Sequence, residues 1–223
     1  MENECIVHSG EDALLKDEWN GKSLFIHKVL VGLGEEWDGD KRPDIQEGYE
    51  ALARLLDGKD YFIVTLNTDG KIFESRLDEK RIVAPCGNDH WFQCGKACTA
   101  DIWEESEAEE MDGVCPHCGA PLIPNTVRAG KYIEEGYLPQ WNAYKQWLSG
   151  TLNRKLTVLE LGAGFEYPGI IRWPFEKTAY FNNKAKFYRV NKTFFQISEE
   201  LKDKAEGIQA DSVKFIVDSP RLW

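Results

Sequence analysis

Four cysteines, Cys94, Cys98, Cys115 and Cys118, fall in two close pairs, C-x3-C and C-x2-C, with sixteen residues between them. Short chelate loops of this kind let two thiolates from one turn meet two from another in a tetrahedron around Zn²⁺. The second pair lies in VCPHCGAPLIP, where proline and glycine favour a tight knuckle turn. A shell closed by four thiolates leaves no open position, so the zinc expected here is structural rather than catalytic. Four buried free cysteines are the alternative, and that alternative leaves the paired spacing as coincidence. His117 sits between two ligands and is expected to face solvent. His90 is near enough to substitute as a ligand, although the four thiolates already complete the shell.

Ahead of the quartet, in APCGNDHWFQCGKAC, stands one more cysteine, Cys86, followed by Gly87. A thiol serves as base or nucleophile when a neighbouring cation lowers its pKa. Its charged neighbours are Asp89 and His90, and no adjacent cation is evident. Cys86 therefore reads first as a small buried residue, with a catalytic or redox role and an accessory metal ligand as alternatives.

The elements around these residues follow an α/β pattern. SLFIHKVLVGLG (23–34) reads as a strand or a short buried helix, followed by a loop, EEWDGDKRPD. DIQEGYEALARLLDGK carries an apolar face at helical spacing through Tyr49, Leu52, Ala53, Leu55 and Leu56. DYFIVTLNTDG (60–70) is a β-branched and aromatic run ending in polar residues, the way a buried strand delivers side chains to its carboxyl edge. RIVAP, KLTVLELGAG and AKFYRVN read as further strands, and QWNAYKQWLSG as a helix. IIRWPFEKTAYFNN reads as a helix if Pro174 falls in its first turn. SEELKDKAEG reads as a helix capped by Ser198 and stopped by Gly207, and DSVKFIV as a last helix or strand. Core periodicity vanishes between residues 86 and 128, where DIWEESEAEEMDG forms a strongly acidic middle, as expected of a module organised by metal. The expected organisation is an N-terminal region (1–58), an open α/β-sheet domain (59–85 and 129–223) and an inserted zinc module (86–128).

Three strand ends carry residues suited to a nucleotide. Gly162 and Gly164, in ELGAGFEYP, allow a phosphate or ribose close to the backbone, or simply make a tight turn. Thr65, Asn67 and Asp69 close one strand, and Val190-Asn191 close another. In VGLGEEWDGD, Gly32 and Gly34 precede Glu35 and Glu36. Two carboxylates beside a pyrophosphate would repel it, so a plain turn is the better reading there.

Taken in order, a T-x-N-x-D strand end, a four-cysteine insert with C-x-x-C-G, a G-x-G strand end and a V-N strand end resemble the sirtuin family of NAD-dependent protein deacylases and ADP-ribosyltransferases. The resemblance covers about residues 45–217, and LELGAGFEYP…IRWPFE looks closer to the divergent bacterial branch that includes the macrodomain-linked sirtuins. It implies an α/β fold in which 59–85 and 129–223 form a Rossmann-like parallel sheet, 86–128 is a small inserted zinc-binding module, and the N-terminal part, 1–58, is abbreviated. It places Thr65, Asn67 and Asp69 on the family's T-Q-N-x-D motif, with Leu66 in place of glutamine, at the nicotinamide end of an NAD pocket. Gly162, Ala163 and Gly164 align with the family's G-T-S, without its hydroxyls, and Val190-Asn191 with the V-N that meets the adenine ribose. The family's catalytic histidine, followed by glycine, aligns with Cys86-Gly87. His90 could replace that base only if the loop were reshaped. The implied function is that of an atypical NAD-dependent deacylase or ADP-ribosyltransferase with reduced or lost deacylase activity. The alternatives are an inactive NAD- or ADP-ribose-binding protein and a zinc-containing interaction module. The implied partner is an acylated or ADP-ribosylated protein.

Bulk properties agree with a globular chain: 223 residues, 42% hydrophobic and 29% charged. A net charge of −11 argues against non-specific binding to nucleic acid or an anionic membrane surface. The N-terminus, MENECIVHSGEDALLK, has neither a secretory nor a basic transit character, and no apolar run approaches a membrane span, so the expected location is cytoplasmic.

Overall fold

The structure, a computed structural model, describes residues 28–218. The reading of the first residues as free of a targeting signal falls outside that range. Six parallel strands form the main sheet: β1 (Lys28–Leu33), β2 (Asp60–Thr65), β3 (Ile82–Val83), β7 (Leu156–Leu161), β8 (Ala185–Val190) and β9 (Ala205–Ile208). Their order across the sheet is β3-β2-β1-β7-β8-β9. Strands β1, β2, β7 and β8 are nearly continuous apolar runs because helices cover both faces. One core packs Val29, Val31, Leu33, Ile63 and Leu161 against α1 (Ile45–Leu56) and α5 (Ser212–Asp218). The alternate residues Leu30, Phe62, Val64 and Val158 pack against α3 (Leu138–Ser149) and α4 (Arg172–Phe181). Pro174 lies in the first turn of α4, where its missing N–H is an unpaired donor position anyway.

The chain runs outward from β1 through β2 to β3, then returns to lay β7 beside β1 and continues through β8 to β9. β1 and β7 are therefore the topological switch point, and their carboxyl ends bound the crevice where open parallel sheets take ligands.

Between β3 and α3 lies a smaller antiparallel sheet, β5-β4-β6, made of β4 (Gly87–Cys94), β5 (Ile102–Glu104) and β6 (Leu122–Thr126). Its acidic middle holds β5 and the short α2 (Glu105–Glu110), opened by a capping box in which the Glu107 carboxylate accepts from the Glu104 backbone N–H. The buried core of this module consists of Cys94, Ala108, Cys115, Ala120 and Leu122, so two of its five members are thiols.

One element departs from the sequence reading. Residues 198–207 form a single 3-10 turn, Glu199–Leu201, and then strand β9 rather than a helix. Pairing with β8, in the register Phe187 to Ala205 through Val190 to Ile208, outweighs the local helical preference of the Glu- and Lys-rich stretch. The ambiguous run at 23–34 contributes strand β1 from Lys28 onward, and DSVKFIV is helical.

Candidate functional site

The cysteine quartet assembles as its spacing predicts. Turns after β4 and before β6 bring the four Sγ atoms within 4.8 Å of one another. Cys94 and Cys118 lie 3.5 Å apart, and Cys98 and Cys115 3.6 Å. A Zn–S bond of about 2.3 Å gives tetrahedral edges of about 3.8 Å, so the donor set fits Zn²⁺ with its shell closed. His117 turns away to Asp101 at 2.8 Å, and His90 to Glu105 at 2.8 Å, both at the surface. The Glu105 carboxylate raises the pKa of His90.

The second site is a cavity of about 130 Å³ where the main sheet meets the insert, lined among others by Glu35, Asn67, Thr68, Cys86, Arg128 and Glu166. Asn67 stands just past β2. Its Nδ2 donates to the Gly34 carbonyl at 3.1 Å, and its backbone N–H to the Thr65 hydroxyl at 3.1 Å, which fixes the amide at the cavity edge. Asp69 is buried and does not line that cavity. Its carboxylate accepts from the backbone N–H groups of Gly39 (2.7 Å) and Lys71 (2.8 Å), pinning the loop after β1 to the end of β2. Burial pushes its pKa up, against the pull of those two donors.

Cys86 is 1% exposed and packs with Leu30, Phe62, Val64 and Val83. Burial, with the Glu166 and Glu35 carboxylates adding to it, pushes its thiol up to about 12. Gly87 follows for a steric reason: its φ is +89°, and a Cβ there would lie 2.0 Å from the Asn125 carbonyl oxygen. The Cys-Gly pair is thus where the chain drops from the main sheet into the insert against β6, with Val127 N–H donating to the Cys86 carbonyl at 3.0 Å.

Sequence reasoning missed Thr68, Asp89 and Arg128. Thr68 Oγ1 donates to Asp89 at 2.6 Å, and the Arg128 guanidinium donates to both Asp89 oxygens at 2.6 and 2.7 Å. This knot ties the end of β2, strand β4 and the segment after β6 around the cavity and holds a cation in its lining. Arg128 is sixty positions from Thr68, so no local pattern could have joined them.

The remaining predicted residues meet at the switch point. Gly162 has φ +66°, and a Cβ there would lie 2.4 Å from Glu36 Cβ; a Cβ at Gly164 would lie 3.1 Å from Glu35 Oε1. Asn191 holds the turn after β8: its Nδ2 donates to the Ala163 carbonyl (3.1 Å) and its Oδ1 accepts from Thr193 N–H (2.9 Å) and Phe194 N–H (2.8 Å). Gly32 packs against the Ile171 and Phe175 side chains. Under the turn at 162–164 lies a buried charge cluster. The Glu160 carboxylate, wholly buried, accepts from Arg189 Nε (2.6 Å) and Nη2 (2.9 Å), and Arg172 donates to the Ala163 and Phe194 carbonyls at 2.8 and 3.0 Å.

Solved structures share this architecture. A Sir2 protein in complex with an inhibitor, 2′-O-acetyl-ADP-ribose and a deacetylated peptide superposes with a TM-score of 0.56 at 16% identity, covering 92% of this chain and 95% of that one. A Sir2 homologue carrying a histidine-to-asparagine mutation, bound to ADP-ribose, superposes with a TM-score of 0.56 at 12% identity, covering 87% and 90%. The chain is sirtuin-like in fold. By sequence it is similar to a Staphylococcus aureus protein named "Protein ADP-ribosyltransferase", 24% identical over 193 residues. It is also similar to a Fusarium oxysporum f. sp. cubense protein named "Probable bifunctional ADP-ribose hydrolase/ADP-ribosyltransferase", 29% identical over 140 residues. Those matches cover 79% and 53% of this chain, which spans 61% and 23% of the length of these curated relatives. No family model matches the chain.

In this sirtuin-like frame the two ends of the cleft differ in fit. The cavity at Asn67 is open and polar. The crevice at Gly162 and Gly164, as folded, does not fit a diphosphate, because the Glu36 and Glu35 side chains fill the space those glycines leave. Among the described residues no helix is long and apolar enough to cross a membrane.

Proposed function

We propose that the chain is a sirtuin-like ADP-ribosyltransferase that takes NAD as donor and a protein as acceptor, and that it has lost protein deacylation. The observation that carries this reading is Cys86. It stands where the resemblance puts the deacylase base, and it is a thiol pushed up to about 12 by burial, with the Glu166 and Glu35 carboxylates adding to the rise and Arg128 opposing it. Such a group stays protonated at neutral pH and accepts no proton, so the step that needs a base at this position is lost. Transfer of ADP-ribose to an acceptor with loss of nicotinamide does not strictly need that base. NAD, when bound, supplies the ADP-ribosyl group.

The chain's own residues would position the reacting end. Asn67 has its Nδ2 engaged by the Gly34 carbonyl, which leaves its oxygen available at the cavity edge. Arg128, fixed by Asp89, is an exposed cation lining the cavity together with Glu166 and Tyr167. Zinc, in this reading, keeps the insert folded so that Thr68, Asp89 and Arg128 stay together. The names of the two curated relatives support transfer over deacylation, and the peptide in the Sir2 complex supports a protein acceptor. Glu35 and Glu36, which fill the diphosphate end of the crevice, favour a second reading, a zinc-containing protein-interaction module without turnover.

Nicotinamide release separates the two. With zinc-loaded protein and NAD, release is expected, and Asn67→Ala lowers it on the order of 100-fold, the usual cost of one polar group placed at the reacting centre. No release with any protein acceptor tried would leave the interaction module as the function.

A further inference from the structure

The switch-point crevice already holds two anionic groups, and both belong to the chain. Glu36 Oε1 accepts from Lys192 N–H at 2.8 Å, just past β8, and its Oε2 accepts from Ser212 N–H at 2.9 Å and the Ser212 hydroxyl at 2.7 Å. Glu35 Oε2 accepts from Gly164 N–H at 2.5 Å and its Oε1 from Glu166 N–H at 3.2 Å, just past β7. All four carboxylate oxygens thus have donors, nearly all of them backbone amides at the carboxyl edge of the sheet. Gly162 and Gly164 make room: Gly162 meets the stem of Glu36 and Gly164 the carboxylate of Glu35. The short 3-10 turn Glu35–Trp37 directs both side chains inward, and Trp37, wholly buried, anchors it through Nε1 donating to the Ser212 hydroxyl at 3.1 Å.

We propose that Glu35 and Glu36 are specificity determinants of this cleft. They stand in for the diphosphate of a dinucleotide, occupying the amides such a group would use, and an ADP-ribosyl ligand binds only by displacing them. The inference rests on the reading of the cleft as a site for NAD or ADP-ribose. An incoming diphosphate meets two like charges in a partly buried crevice and finds its donors engaged. A ligand without phosphate meets neither obstacle. The pair therefore weakens NAD and ADP-ribose selectively.

The test is calorimetric titration of the zinc-loaded full chain with ADP-ribose and, separately, with adenosine, for the wild type, Glu35→Ala and Glu35→Ala/Glu36→Ala. The expected result is that the double variant binds ADP-ribose at least about tenfold more tightly than the wild type, a difference of about 1.4 kcal/mol, while adenosine binds all three alike. If the double variant does not fold, Glu35→Ala decides, since it keeps every contact of Glu36; a gain of about threefold for ADP-ribose alone is expected. Wild type and variants binding ADP-ribose equally would overturn the proposal and leave the NAD reading standing. An equal gain for adenosine would also overturn it, because the substitutions would then have done no more than open space. No binding of ADP-ribose by any folded variant would overturn both the proposal and the NAD reading.

Discussion

Replacing Glu160 with glutamine tests how the floor of the crevice is held. The Glu160 carboxylate is wholly buried and receives two hydrogen bonds from Arg189, which is itself 2% exposed. Arg172 lies at 3.4 Å from the same carboxylate and is 6% exposed. Glutamine keeps the shape and removes the charge, so two buried guanidinium groups lose the carboxylate they share, while Arg189 keeps Glu176 at 2.8 Å. Breaking a buried ion pair by removing one partner costs about 3–5 kcal/mol. For a chain of this length each kcal/mol lowers Tm by about 2–4 °C, so a fall of roughly 6–20 °C is expected. Glu50→Gln is the control, because its pair with Arg76 is exposed and worth about 0–1 kcal/mol. Thermal and urea unfolding of both variants, with Arg189→Met and the double variant to complete a cycle, measures the difference. The double variant should cost less than the sum of the singles by about 0.5–3 kcal/mol. A Glu160→Gln melting point within about 2 °C of the Glu50→Gln value would refute the reasoning, because that is no more than surface pairs are worth.

Three further outcomes follow from the cysteines. Chelation, or Cys115→Ser, should remove one zinc per chain and unfold the insert, lowering near-ultraviolet circular dichroism from its tryptophans while the parallel sheet persists; unchanged spectra in metal-free protein would contradict a structural role. Cys86 should resist iodoacetamide in native protein at pH 8 and react once the protein is unfolded. Because its folded pKa is raised, its contribution to stability is complete below the unfolded thiol value of about 8.5 and declines as pH rises from there toward about 12, a trend that Cys86→Ala should flatten.

Much of the fold is legible in single segments. The runs DYFIVT, LTVLEL and AKFYRV announce buried parallel strands, and the cysteine spacing announces the metal shell. What was illegible depends on partners far along the chain. Glu35 and Glu36 look wrong for a phosphate loop, yet the amides that receive them lie 129 to 176 positions away. Glu160 reads as one polar residue at a strand end; only register with β8 sets it opposite Arg189. The stretch at 198–207 has helix-forming side chains but sits at the sheet edge, where pairing decides. Cys86-Gly87 was legible as a departure from a deacylase motif, and the steric need for Gly87 appears only when Asn125 is folded against it.

The central claim, ADP-ribosyl transfer without deacylation, is tested most directly by mass spectrometry of both products in one reaction. Zinc-loaded protein, NAD, an acetyl-lysine peptide and a protein acceptor mixture are incubated together at pH 7.5. The account predicts ADP-ribose on protein and an acetylated peptide left intact. Deacetylated peptide produced by the wild-type chain would contradict it.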